Sequence, residues 1–313
     1  MHSSLAWKRL LAALLLALPL AVPALPAAGP IATVTIADGE ATLLRTTTKL
    51  ALAEGVRLGA GDMVETAAAT RLLRVEFDDG LLLDLGPATR LQLMPRLSGE
   101  VARRAARLYL LQGWAKLTAP KVLGDALALT SPALDLRGLG RNAVLAVEGG
   151  DVFVFAEAGD LTLLERSGGR AGAAVPLKGG EFYERHGDAK AATGPRPTPA
   201  FLKRVPKAFV DSLPARAAQF AGKDVAPKAL GAILYADAQP WIDAEPALRG
   251  GFVPRWRALA RQSEFRRQLQ DTMAAHPEWD PVLNPEKYLP KPASAPASAL
   301  VSPGSKPAAY PTR

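Results

Sequence analysis

The acidic side chains that crowd closest around an apolar framework are Asp78, Asp79 and Asp84, within Arg71–Leu93 (RLLRVEFDDGLLLDLGPATRLQL). Paired carboxylates serve as acid and base on a glycosidic bond, and clustered ones hold Ca²⁺. Asp and Glu are plentiful, at 30, so a carboxylate-dependent wall hydrolase is compatible with the composition. Asp78 and Asp79 precede Gly80, though, and a tight turn accounts for both without a reaction. No EF-type ligand series surrounds them. Of the three histidines, His2 lies at the extreme N-terminus and His186 beside Gly187-Asp188. His276 ends a helical stretch, where a cation suits the dipole. No pair has H-x-x-x-H spacing, and no G-x-S-x-G elbow or phosphate-binding or dinucleotide-binding glycine loop is present. There is no cysteine. That excludes disulfides, thiolate metal sites, a cysteine nucleophile and lipid attachment through an N-terminal cysteine. The expectation is a non-enzyme with no catalytic residue, cofactor or metal.

A second constellation is aromatic and basic. Trp241, Trp256 and Trp279 share the last third with Arg255, Arg257, Arg261, Arg266 and Arg267. Indoles stack on sugar rings and guanidiniums grip oxyanions. Trp241, Arg255, Trp256, Arg257, Arg261 and Trp279 are therefore the candidate ligand or partner surface, for peptidoglycan or another polysaccharide. The competing reading puts the three tryptophans in the core of a small helical unit.

The elements that would position these residues differ along the chain. In Arg71–Leu93, Leu73, Val75 and Phe77 alternate with Arg74, Glu76 and Asp78, and Leu81, Leu83 and Leu85 with Leu82 and Asp84. Strict alternation describes strands with one buried face. A two-residue turn would set Val75 opposite Asp84. A three-residue loop, Asp78-Asp79-Gly80, sets Phe77 opposite Leu81, Val75 opposite Leu83 and Leu73 opposite Leu85, which keeps the face apolar. Gly80 then takes the left-handed position. Similar short runs, broken by Gly, Asp and Pro, recur from residue 30 to about 188. Gly113 sits inside Arg107–Leu117 as a bulge or bend would. The expected fold is mainly β, an antiparallel roll or sandwich.

Residues 189–199 (AKAATGPRPTP) read as a linker. Beyond it the period changes, giving a helical region over 200–290 with helices at Phe201–Phe209, Ala215–Phe220, Lys228–Tyr235, Val253–Ala260 and Ser263–Ala275. In the last, Phe265, Leu269, Met273 and His276 form a stripe, with Ser263 as N-cap. Residues 291–313, rich in Pro, Ala and Ser, read as a disordered tail.

Residues 1–28 set the compartment. Lys8-Arg9 precedes an apolar run from Leu10 to Val22, then prolines and small residues. This is a signal-peptide pattern, with cleavage after Ala24, Ala27 or Ala28; an uncleaved inner-membrane anchor is the alternative. The run is shorter than the ~20 residues that span a bilayer, and no later stretch is apolar enough to cross a membrane. The expected location is periplasmic. The net charge is +8. Residues 29–199 hold 20 basic and 20 acidic side chains, and residues 200–313 hold 16 and 10. The excess of the mature chain thus lies in the last third, which favours anionic partners. Export makes nucleic acid an unsuitable partner. An envelope protein or an anionic envelope polymer (wall, lipid or lipopolysaccharide) is the expectation.

Gly59-x-Gly61-Asp62-x-Val64-x-Thr66, a spacer, an alternating strand, Asp79-Gly80, a second strand and Leu91-x-Leu93 together resemble the FecR domain, as does Leu110-x-x-Gly113-x-Ala115-x-Leu117. The resemblance covers residues 31–160 and rests on turn glycines and alternating apolar positions. It implies a periplasmic β-rich module. In the family's namesakes that module follows a membrane helix and a cytoplasmic anti-sigma segment. Here a signal peptide stands in their place, as in exported FecR-domain proteins that lack the cytoplasmic part. Gly59, Gly61, Asp62, Asp79 and Gly80 are read as turn residues: glycines bend the chain and Asp62 bonds its own backbone.

Overall fold

The computed structural model describes residues 29–98, 106–120, 127–167 and 170–289. The expected signal peptide (1–28) and disordered tail (291–313) lie outside the described residues. The strands, in chain order, are Ala32–Asp38 (β1), Ala41–Arg45 (β2), Thr48–Ala51 (β3), Arg57–Leu58 (β4), Met63–Thr66 (β5), Leu72–Phe77 (β6), Leu82–Leu85 (β7), Arg90–Leu93 (β8), Leu108–Thr118 (β9), Leu127–Thr130 (β10), Leu134–Arg137 (β11), Asn142–Glu148 (β12), Asp151–Ala158 (β13), Leu161–Ser167 (β14), Arg170–Leu177 (β15), Phe182–Arg185 (β16), Ala192–Gly194 (β17) and Lys228–Ala232 (β18). The helices are Pro199–Arg204 (α1), Tyr235–Ile242 (α2), Pro246–Arg249 (α3), Phe252–Trp256 (α4), Ser263–Asp271 (α5) and Asp280–Leu283 (α6), with short 3-10 turns between them. The fold is mainly antiparallel β, as the alternation predicts.

The strands form two facing sheets. One runs β4-β1-β6-β7-β9-β12-β13-β16-β17. The other runs β18-β3-β2-β5-β8-β9-β10-β11-β14-β15. β9 belongs to both. Its first half pairs with β8 and, in parallel, with β10, and its second half pairs with β7 and β12. The change of sheet falls at Gly113, where φ is +94°. A Cβ there would lie 2.4 Å from the Thr89 Cα. Only glycine fits this bend.

Alternation places every second residue between the sheets. Val34, Leu43, Val64, Val75, Leu83, Leu91, Leu110, Leu117, Leu145, Val154 and Leu163 make one continuous apolar core. Each such side chain contributes roughly 1.5–3 kcal/mol by leaving water. The β6–β7 hairpin has the three-residue loop: Val75 faces Leu83 and Leu73 faces Leu85. Phe77 N–H donates to the Leu81 carbonyl at 2.9 Å, and Gly80 has φ +87°.

The outer faces depart from expectation. The alternation of β6 predicts one solvated face, yet all six of its residues are buried. The reason is the last third of the chain, which is no separate helical unit. It wraps the sandwich on both sides. Phe201 on α1 and Phe209 pack on the outward Trp114, Val144, Phe153 and Phe182 of the first sheet. Residues 210–225 then run across that sheet as a strap with little regular structure. Helices α2–α6 cover the second sheet, where Trp241, Phe252 and Trp256 join outward Leu44, Met63 and Tyr109.

Residues 189–199 do not hang free: β17 pairs with β16, and the Thr198 hydroxyl caps α1 by accepting from Phe201 N–H at 3.3 Å. Lys228–Tyr235 is not a helix. Its first part is β18, paired with β3, and Gly231 at φ +147° interrupts any helical course. The N-cap of α5 is Gln262, with no side-chain bond, instead of Ser263. Its stripe holds, with Phe265, Leu269 and His276 buried and Met273 packed against them. Among the described residues no helix is long and apolar enough to cross a membrane.

Candidate functional site

Charged side chains on the outer faces do two kinds of work. Over the first sheet they hold main-chain atoms of the strap. Arg74 grips Asp84 through two bonds of 2.6 and 2.7 Å and donates to the Leu213 carbonyl at 2.9 Å. Glu76 accepts from Thr35 and from the N–H groups of Arg216 and Ala217. Lys116 donates to the Phe209 carbonyl at 2.6 Å. An irregular segment must find partners for its backbone somewhere, and these side chains supply them. Over the second sheet, Arg166 makes paired 2.7 Å bonds to Glu245, which also accepts from Tyr109 at 2.8 Å. Burial first, then the Glu245 charge, pushes the Tyr109 phenol well above its ordinary value.

These contacts settle the carboxylates singled out by sequence. Asp84 lies under the strap, engaged by Arg74. Asp79 sits at the exposed loop tip, where Arg107 binds both its oxygens and holds its carboxyl below the usual range. Asp78 is exposed beside it. The three do not meet in a cleft. His186 pairs with Asp151 at 2.9 Å on the surface, which raises the imidazole. His276 is buried against Asp243.

The tryptophans resolve in favour of the core. Trp241, Trp256 and Trp279 are each 0% exposed. Trp241 Nε1 donates to Glu65 and Trp256 Nε1 to the Thr46 carbonyl. No sugar ring can stack on them while the wrap is in place. Arg257 and Arg261 are exposed on the surface of the wrap. Of the candidate surface, Arg255 lines a groove.

That site is a groove of about 1350 Å³ on the seam between sandwich and wrap. Its floor is the Gly59–Asp62 turn. Gly61 has φ +82°, and the Asp62 carboxylate accepts from Gly59 N–H at 2.8 Å, closing its own turn. Asp62 also binds Arg45, at 3.0 and 2.6 Å, which raises the Arg45 guanidinium. The turn residues thus have the structural roles their types suggest, and Asp62 neutralises one wall of the groove as well.

The rest of the lining is largely apolar, and its charged members are mostly cations. Arg57 donates to Thr33 and to the Phe220 carbonyl. Arg255 donates to the carbonyls of Gly61 and Leu44. Burial lowers its guanidinium from the ordinary value and the charge of Arg96 lowers it further, against the pull of Asp62; it remains a cation. Arg96 and Lys223 complete the lining, with Asp224 on the rim. The Lys223 ammonium sits 5.7 Å from the centre of the Phe220 ring. Thr46 and Met94, at φ +55° and +44°, also line the groove. A β-branched residue in that region is strained; the Trp256 bond to its carbonyl and Ile233 N–H on Thr47 hold the turn. Arg45, Arg57, Arg96 and Lys223 escaped sequence reading because they come from four separate stretches with no shared period.

No family model and no curated protein matches the chain. Two crystal structures of a candidate anti-sigma factor from Parabacteroides distasonis are similar to part of it. The one at 2.50 Å resolution has a TM-score of 0.35 and 12% identity over 43% of this chain and 59% of that one. The one at 1.65 Å has a TM-score of 0.32 and 12% identity over 39% and 55%. The overlap spans less than two thirds of either neighbour.

Proposed function

We propose that this protein is a non-catalytic, exported binding module, FecR-like in its sandwich, whose seam groove takes an anionic polymer of the cell envelope. The observation that carries this reading is the groove itself: five cationic side chains face two carboxylates, and one of those, Asp62, is occupied by Arg45. A cleft lined by one sign of charge concentrates ligands of the other. The acids near the surface and the core support a non-catalytic role, since Asp79, Asp84 and Glu245 are each spent on an arginine. The apolar leader over 1–28 supports export.

Co-sedimentation of residues 29–313 with insoluble peptidoglycan and with lipopolysaccharide tests it. Retention that falls as salt screens the charges, and that weakens about tenfold in an Arg96→Gln/Lys223→Gln variant, is expected. Retention unchanged by those substitutions moves the site elsewhere. A clearing zone on wall material, lost on substituting one carboxylate, replaces the reading with a hydrolase.

A further inference from the structure

Three cations reach the groove from distant stretches: Arg96 beyond β8, Lys223 at the end of the strap and Arg255 on α4. Among the described residues, no ion pair joins any of them to a carboxylate: Arg255 donates to two carbonyls and feels the Asp62 charge from a distance, and Lys223 meets an aromatic ring. The charge of Arg96 opposes that of Arg255, which Asp62 offsets in part, and an anion bound near both turns their repulsion into attraction. A carboxylate offers two oxygens in one plane, which a single guanidinium satisfies. A phosphoryl group offers three terminal oxygens and up to two charges, which suits donors supplied by three separate stretches of one groove. The groove, at about 1350 Å³, is much larger than a phosphoryl group alone.

We propose that Arg96, Lys223 and Arg255 form a binding site for a phosphoryl group borne on a larger envelope molecule, a lipid or a sugar. This rests on the reading of the groove as the ligand site. Because Arg96 belongs to the sandwich and the other two to the wrap, occupancy ties the two together and stabilises the fold by mass action.

Thermal unfolding of residues 29–313 in inorganic phosphate, against acetate at matched ionic strength, tests the proposal. Phosphate at tenfold excess over its Kd should raise Tm by about 3 °C. The rise should vanish in Arg96→Gln/Lys223→Gln and persist in Arg257→Gln/Arg261→Gln, whose side chains are exposed outside the groove. An equal rise in acetate, or a rise that survives Arg96→Gln/Lys223→Gln, overturns it. Competition by phosphatidic acid vesicles or by a soluble sugar phosphate distinguishes a lipid from a sugar carrier, and either supports the site. Polymer retention without any phosphate preference overturns this inference and leaves the broader function standing; loss of both removes both.

Discussion

Arg74 and Asp84 show how far a residue's environment can depart from its type. Both read as solvent-facing members of a hairpin, and both side chains are at most 5% exposed, 2.6 Å apart under the strap. A guanidinium buried with its counter-ion is tolerable, whereas one buried alone is not. Asp84→Asn leaves Arg74 with only the weaker pull of Glu76 and should cost about 3 kcal/mol. Arg74→Met with Asp84→Leu removes both charges and should recover part of that loss; it leaves the Leu213 carbonyl without its donor, at about 1–3 kcal/mol, and the buried Glu76 without the Arg74 charge. Urea midpoints of the two variants check the order. A single substitution milder than the double one would show that the pair is not the clamp described. Nothing in the local sequence announces this role, because the partner main chain lies 139 residues away. The tryptophans are the reverse case: their large apolar area already favoured the core, and the arginines beside them suggested a surface that does not exist.

Among the elements, those whose apolar residues recur with period 2 were legible. The β6–β7 register follows from a single requirement, that Leu73, Val75 and Phe77 meet leucines. β18 was not legible: its five residues, KALGA, carry no apolar period, and all are exposed. Its partner β3 lies far upstream, so only tertiary pairing defines it. β9 was partly legible, since Gly113 inside an apolar run signalled a bend, though not that the strand passes from one sheet to the other there. Gly113→Ala must fit a methyl group 2.4 Å from the Thr89 Cα at φ +94°. The expected cost is about 3 kcal/mol or more, from strain and overpacking together. Gly149→Ala is the control, for its φ is +56° and nothing lies within 4 Å of the added methyl; it should cost only about 1–2 kcal/mol. Comparable losses in the two would mean that β9 tolerates another path between the sheets.

At the scale of the whole molecule, the change of period near residue 200 marks a change of element type and not a boundary between independent bodies. The wrap covers aromatic side chains on one sheet, with Phe201 4.7 Å from Phe182 and 5.6 Å from Trp114 between ring centres. On the other it buries Leu44, Met63 and Tyr109. Each of these large groups loses about 1.5–3 kcal/mol if returned to water, and together they would form apolar patches of a size that soluble monomers rarely show. The sandwich alone, residues 29–198, should therefore aggregate, while 29–289 stays soluble and melts as one unit. Cleavage is the sharper test because it removes no contacts. Lys190 is exposed between β16 and β17 and is followed by Ala191, so trypsin can cut there with the fold intact. The two fragments should then elute together in size exclusion and unfold in one transition. A soluble 29–198 fragment with its own cooperative melt would make the last third a separate domain, and the seam groove, assembled from both parts, would lose its physical basis.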